Sequence, residues 1–275
     1  MRMFETFRPV NDLIKKHVSY YYLDIAEDAG YSNEYICYPH YNHTISLYKS
    51  HQAEFEAQHV TVSYQKGGLP LQVFTPLRED LLKITQQGPV YKVGIVFEPL
   101  GIHQFFGKSA VASGRNVVEF LNTAALAPLF DQLNPVAITE FIDHHLEMKY
   151  VREENLYLEK AISLIHSRFD DISIEVLAED KLGISRKQLN RLFHQYLGTS
   201  AQKYRSIVRF RQLMSYKLNQ KEDQTLSSLS HRTHYTDQSH FIKSCKQLTG
   251  LSPKQFFNEG EIIGTEDTFW NFSDK

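Results

Sequence analysis

The chain has only two cysteines, Cys37 and Cys245, in 275 residues, which excludes a disulfide framework and offers no CxxC pair for structural zinc. Neither cysteine has an activating base at catalytic spacing, so both read as small buried hydrophobes. No stretch approaches the ~20 apolar residues of a membrane span, and Met1 to Pro9 lacks the apolar core of a secretory leader. The expectation is a cytoplasmic protein with no membrane partner. Net charge is also scarce, with 30 Lys and Arg against 32 Asp and Glu. Taken as an average, that balance argues against a nucleic-acid partner.

The average conceals a segregation. Residues 1–150 carry 12 basic and 16 acidic side chains, whereas residues 181–256 carry 14 basic and 3 acidic. One part is mildly acidic and the other strongly cationic, the footprint of a nucleic-acid-binding module joined to a separate partner domain. A hydrophobic share of 42% suffices for a core in each.

The first hundred residues read as β-rich. Val18, Tyr20 and Tyr22 alternate along one run, and Val90 to Phe97 forms another strand closed by Glu98-Pro99-Leu100-Gly101. Gly67-Gly68-Leu69-Pro70 and Gln87-Gly88-Pro89 break the chain between strands. After them the period changes to helical at Ile102–Phe106, Val117–Leu121, Leu126–Leu133 and Ile138–Lys149, with Pro135 and Thr139 as start signals. The polar stretch 147–155 is the linker candidate. The expected division is a β-rich sensor or oligomerisation domain over 1–151, a helical domain over 152–258, and an acidic tail over 259–275.

From Leu156 onward the helices pair. Ile174, Leu177, Ala178 and Leu182 make an apolar stripe that Ser173 caps and Gly183 ends. Ser185 caps the next helix, in which Leu189, Leu192, Phe193 and Tyr196 face inward and Arg186, Lys187, Asn190, Arg191 and His194 face outward. A long helix over Ala201 to Leu218, about 27 Å at 1.5 Å per residue, leads to a second unit starting at Thr225. Its second helix packs Phe241, Cys245 and Leu248 inward and presents Gln238, Ser239, His240 and Lys243 in part outward. Cationic and amide groups on two such helices suit phosphates and base edges in two major grooves of double-stranded DNA.

These residues resemble the AraC/XylS class of bacterial transcription regulators. The matching segments are Ile174–Ala178, Ile184-Ser185 through Leu189, Arg191-Leu192-Phe193, Gly198, Tyr204, Val208-Arg209-Phe210-Arg211, Asp237-Gln238-Ser239-His240-Phe241 and Gly250-Leu251-Ser252-Pro253. The resemblance implies a seven-helix DNA-binding domain, with base contacts at Lys187, Asn190 and Arg191 in the first unit and at Gln238, Ser239, His240 and Lys243 in the second. The chain departs from the class at five points. The turn between Ala178 and Ser185 is one residue longer, Ser230 and His234 replace alanine and glycine, Leu213 replaces a small residue, and Phe257 replaces arginine.

The fold class expected is therefore α+β, an N-terminal cupin-like β-barrel with helices and a C-terminal all-α tandem helix-turn-helix domain. Within the barrel His40, Tyr41 and His43 are candidate ligand-lining residues for a small-molecule effector, with no complete metal motif, no catalytic residue and no cofactor expected. Homodimerisation, and contact with RNA polymerase for an activator, are further expected associations. The competing class is a cupin-like metal-dependent enzyme with an appended helical domain, and a third reading uses the first domain for dimerisation alone.

Overall fold

The computed structural model describes residues 2–107, 116–131, 134–167, 172–219, 238–262 and 270–272. Two six-stranded sheets are built mainly from the N-terminal part. The first runs β1 (Arg2–Phe7), β2 (Val18–Ala26), β9 (Val90–Phe97), β4 (His43–Tyr48), β7 (Leu71–Thr75), β10 (Asn116–Val117). The second runs β11 (Gly260–Ile262), β12 (Trp270–Phe272), β3 (Ser32–Cys37), β8 (Leu82–Gln87), β6 (His59–Tyr64), β5 (His51–Phe55). Pairing is antiparallel except between β6 and β8.

The pleat of the first sheet explains why its sequence is apolar on both faces. Tyr21, Leu23 and Ile25 of β2, Ile45 and Leu47 of β4, and Val93, Ile95 and Phe97 of β9 point to one side. There they meet α1 (His103–Phe106), α2 (Ala127–Asp131) and α3 (Pro135–Lys149), through Phe105, Leu129, Phe130, Ile138, Ile142 and Leu146. The alternate residues Tyr20, Tyr22, Tyr48, Val73 and Val96 point to the second sheet and pack on Tyr35, Val60, Val62, Leu82 and Ile84. The result is three layers, helices on sheet on sheet, in which a central strand is buried on both faces. Asp143 of α3 ties the helical layer down. Its carboxylate accepts from the backbone N–H groups of Val10 (2.9 Å) and Asn11 (2.8 Å) and from the Tyr21 hydroxyl (2.6 Å).

Three expectations change. Among the described residues neither sheet closes on itself, since each retains two edge strands, so the β part is a pair of facing sheets rather than one continuous barrel wall. Val117–Leu121 is not helical. Asn116 and Val117 extend the open edge of β7, and the Gln72 side chain anchors the chain at Leu121 by bonding both its carbonyl (2.6 Å) and its N–H (2.8 Å). Finally, the chain beyond residue 259 is not a simple tail. Gly260–Ile262 pairs with Trp270–Phe272, and Trp270 pairs with Ile36 of β3, so the C-terminal segment adds strands to the second sheet. The helix ending at Lys149 forms as expected, with Asn134 rather than Thr139 supplying the cap: its side chain accepts from the Ala137 N–H, and Pro135 opens the first turn.

Gly94 marks the tightest approach between strands. A Cβ there would lie 1.9 Å from Cε1 of Tyr22, a fully buried ring between the two sheets. Gly94→Ala is expected to destabilise the protein by about 1–3 kcal/mol, the usual cost of overpacking a closed core. Urea unfolding of the variant measures this, and an unchanged midpoint would mean that the Tyr22 ring moves aside freely.

Candidate nucleic-acid interface

The C-terminal helices are α4 (Leu156–Ser167), α5 (Ile174–Val176), α6 (Arg186–Leu197), α7 (Ala201–Asn219), α8 (Gln238–Thr249) and α9 (Pro253–Glu259). Residues Leu177–Lys181 continue α5 as a π-type turn. This wide turn accounts for the extra residue between Ala178 and Ser185, because an i→i+5 turn absorbs one insertion while leaving the flanking helices aligned. The Ile184 N–H returns to the Ala178 carbonyl (3.0 Å), and Gly183 takes φ 67° to make the bend.

α6 starts where its cap predicts. The Ser185 hydroxyl accepts from the Gln188 N–H (3.2 Å), and Gly198 ends the helix in the left-handed region with φ 70°. Leu189, Phe193 and Tyr196 are buried against Leu158, Ala161 and Ile165 of α4, Leu177 and Ala178 of the π turn, and Tyr204, Ile207 and Val208 of α7. The opposite face exposes Arg186, Lys187, Arg191 and His194. It also exposes Gln188 and Gln195, which were not among the expected contacts although their spacing from Leu189 and Phe193 puts them on that face. Arg186 leans back toward Glu179, with Nε 3.9 Å from the carboxylate.

Asn190 is placed differently from its neighbours. It is half-buried, and its side-chain oxygen accepts from the N–H of Ala201 (3.1 Å), the first residue of α7. The amide thus satisfies one of the open donors at the start of the connecting helix. Replacing it with alanine is expected to cost about 1 kcal/mol, as for loss of a helix cap, and to leave base preference unaltered. Thermal melts paired with binding to base-substituted duplexes test both halves, and a changed base preference would return Asn190 to the reading surface.

In the second unit the first helix, with Thr225, Ser230 and His234, lies outside the described residues. Gln238, Ser239 and His240 form the first turn of α8. Cys245 and Leu248 face inward, while Ile242, Lys243 and Lys246 are exposed. Gly250 takes φ 74° at the end of α8, and the Ser252 hydroxyl accepts from the Gln255 N–H to start α9. Two helix-turn-helix positions therefore flank α7, whose 19 residues span about 28 Å at 1.5 Å per residue.

Residues 179–259 match the model of a helix-turn-helix domain. This stretch is a helix-turn-helix domain and takes in α6 to α9. A helix-turn-helix domain is a DNA-binding unit, and the match lies in this part of the chain. Among solved structures it is similar to ToxT from Vibrio cholerae, with 9% identity over 94% of this chain and 97% of that chain and a TM-score of 0.49. It is also similar to the C-terminal domain of AraT, a response regulator from Geobacillus stearothermophilus, with 21% identity over 41% and 92% and a TM-score of 0.36. A probable AraC family regulator from Rhodopseudomonas palustris gives 17% identity over 38% and 95%, with a TM-score of 0.33. No curated protein matches the chain.

The expected ligand residues His40, Tyr41 and His43 do not line the space between the two sheets. The Tyr41 ring packs on His166 and Tyr204 of the helical part, with centroids 4.7 and 6.3 Å away. His40 accepts the Asn42 N–H at Nδ1 (3.1 Å), and fully buried His43 accepts the Leu77 N–H (3.1 Å). No group of three or more metal-ligating side chains occurs among the described residues. The segment just before them joins the two parts of the chain. Arg211 of α7 donates to the carbonyls of Pro39 (2.7 Å) and Tyr38 (2.9 Å), and the Tyr38 ring meets Phe256 edge-on at 4.8 Å beside Phe210, Met214, Cys245 and Leu248. His103 adds a second tie through the Tyr196 carbonyl (2.7 Å) at the end of α6.

Burial holds three histidine rings neutral in the fold, with pKa values of about 3 for His43 and about 4 for His51 and His166, against an ordinary 6.5. The unfolded chain binds protons at these sites below 6.5 and the folded chain does not. Stability is therefore complete above that value and falls as pH drops toward 4. Each ring contributes a slope of up to about 1.4 kcal/mol per pH unit within this window. Melting curves from pH 7.5 to 4.5 should show a steep loss, and a flat profile would contradict the burial of these rings.

Proposed function

We propose that the protein reads specific DNA with α6 as its principal recognition helix and α8 as a second contact on an adjacent major groove. The observation that carries this is the exposed face of α6. Lys187, Gln188, Arg191 and Gln195 stand there together on a helix whose other face is locked into a core. Arg191 has the planar fork that fits the guanine edge, and the two glutamines have amides that fit adenine. Lys187 and Arg186 supply phosphate attraction at the start of the helix, and His194 lies at its far end. Lys243 and Lys246 do the same for α8, beside Gln238, Ser239 and His240. This cationic surface gives affinity that falls with salt, while the amide and guanidinium groups give discrimination.

The N-terminal sheets are the seat of regulation in this reading, and the β part takes a small-molecule effector. Support comes from the space between the two sheets, which has both cationic and aromatic side chains in its lining. ToxT, for its part, has been solved with a bound unsaturated fatty acid. A second copy of the chain and, for an activator, RNA polymerase are the protein partners assigned to this regulator.

Arg191→Ala should cost about 1–3 kcal/mol at one base position and leave binding to unrelated DNA nearly unchanged. Lys187→Ala should instead weaken all sequences alike and reduce the salt dependence by about one phosphate contact. Titrations on cognate and scrambled duplexes at several salt concentrations separate the two. An equal loss on every sequence for Arg191→Ala would remove it from base reading.

A further inference from the structure

The short helix α1 reaches three parts of the molecule with three consecutive side chains. Phe105 seats it in the core shared by the first sheet and α3. The Gln104 side chain clasps the main chain of Glu153, donating to its carbonyl (2.7 Å) and accepting from its N–H (3.0 Å). The Gln104 carbonyl also accepts from the Val151 N–H (2.8 Å), so the stretch expected to be a linker is fastened to α1. His103, 1% exposed, crosses to the helical part, with Nε2 2.7 Å from the Tyr196 carbonyl of α6. We propose that His103 is a positioning residue for base reading: through it the N-terminal part holds the end of α6, and so governs the selectivity of the DNA contact rather than its strength. The proposal rests on the reading of α6 as the recognition helix and names what fixes its orientation.

Tyr196 lies in the last turn of α6, where main-chain carbonyls have no acceptor role left inside the helix. The Gly198 N–H turns back to the His194 carbonyl (3.1 Å), while the Tyr196 oxygen accepts from His103, a donor supplied by another part of the chain. The second ring nitrogen, Nδ1, is 3.2 Å from the Gly107 carbonyl, so both nitrogens face oxygens that can only accept. A neutral imidazole has one N–H to give. The shorter contact takes it and fixes the proton on Nε2. Burial pulls the pKa of the ring below the ordinary 6.5, against the opposing pull of the two carbonyls and Glu153, and the ring is neutral at pH 7.5. The Tyr196 ring meets the imidazole edge-on with centroids 5.3 Å apart, which fixes the imidazole plane as well as its proton.

The tie grips α6 without covering it. Lys187, Gln188, Arg191 and Gln195 are all exposed with His103 in place, so the contact supports the reading face and does not occlude it. Gln195 is next to Tyr196, and Arg191 lies about 7.5 Å back along the axis at 1.5 Å per residue. A tilt at this end of α6 therefore displaces both side chains. Base contacts require placement to within about 0.5 Å. The attraction of Arg186 and Lys187 for phosphates acts over a longer range and survives such a tilt.

Two substitutions in the full chain separate positioning from packing. His103→Leu keeps bulk and removes the donor, whereas His103→Gln keeps an N–H to offer the same carbonyl. Binding is measured on a duplex selected from a random pool by the parent and on a scrambled duplex. His103→Leu should bind the selected duplex about fivefold more weakly, the usual worth of one hydrogen bond, and the scrambled duplex as the parent does. His103→Gln should restore parent-like binding to the selected duplex. An equal loss on both duplexes, undiminished selectivity in His103→Leu, or no recovery in His103→Gln would overturn the proposal. If His103→Leu does not fold, nitrogen NMR of the parent decides. His103, identified by its contact with the Tyr196 ring, should carry its proton on Nε2 at pH 7.5 in both the free and the DNA-bound protein, and a proton on Nδ1 in either would overturn the tie. A motif selected by the parent together with any overturning result leaves α6 as the reader and removes His103 from its positioning. A parent that selects no motif sinks the recognition-helix reading itself.

Discussion

The Tyr38 carbonyl is the point on which the architecture turns. Arg78 approaches it from the sheets and Arg211 from α7, and both guanidiniums are buried. A guanidinium removed from water must find acceptors or destabilise the fold, so these two groups demand that the chain at residues 38–42 stay where it is. The demand is met locally by the paired main-chain bonds between His40 and Arg78, 3.1 and 3.0 Å long. It is met on the helical side by the Tyr38 ring, which fills the apolar space between α7 and α9. One short stretch thereby serves two cores at once. Tyr38 and, at its edge, Ile36 and Leu81 pack into the interior of the second helix-turn-helix half.

This joint gives physical content to the idea of a sensor acting on a DNA reader. α7 carries Asn190's partner Ala201 at one end and Phe210, Arg211 and Met214 against the segment around Tyr38 further along. Under the proposed function, a displacement of Tyr38 acts on the helix that separates α6 from α8. The C-terminal strands reinforce the coupling, since they return from α9 to β3, the strand that runs directly into Tyr38.

Much of the reader was legible in the sequence because short-range chemistry specifies it. Ser173, Ser185, Gly183 and Gly198 fix the ends of the first unit's helices, and the 3.6-residue period separates Leu189 and Phe193 from Lys187 and Arg191. The segregation of charge was equally plain once the chain was divided. What escaped the sequence depended on distant contacts. The bond from the Ala201 N–H to the Asn190 side-chain oxygen, eleven residues apart, has no local signal. Val117 looks helical until the open edge of β7 is available to pair with it. The contacts of His40, His43 and Tyr41 with Arg78, Leu77 and Tyr204 likewise join segments far apart in the chain. The lining of the space between the sheets was hidden for the same reason: Thr44, Arg78 and Lys92 come from separate segments, and only the stacking of the two sheets places them in one lining.

The most direct test of the central claim is selection of DNA fragments from a random pool by the purified full-length protein, with footprinting of the enriched sequences. The account predicts one motif with two protected segments on the same face of the duplex, about one helical turn or 10.5 base pairs apart, with the stronger sequence preference under α6. Enrichment of no motif, or protection of a single segment unaffected by changes one turn away, would contradict it.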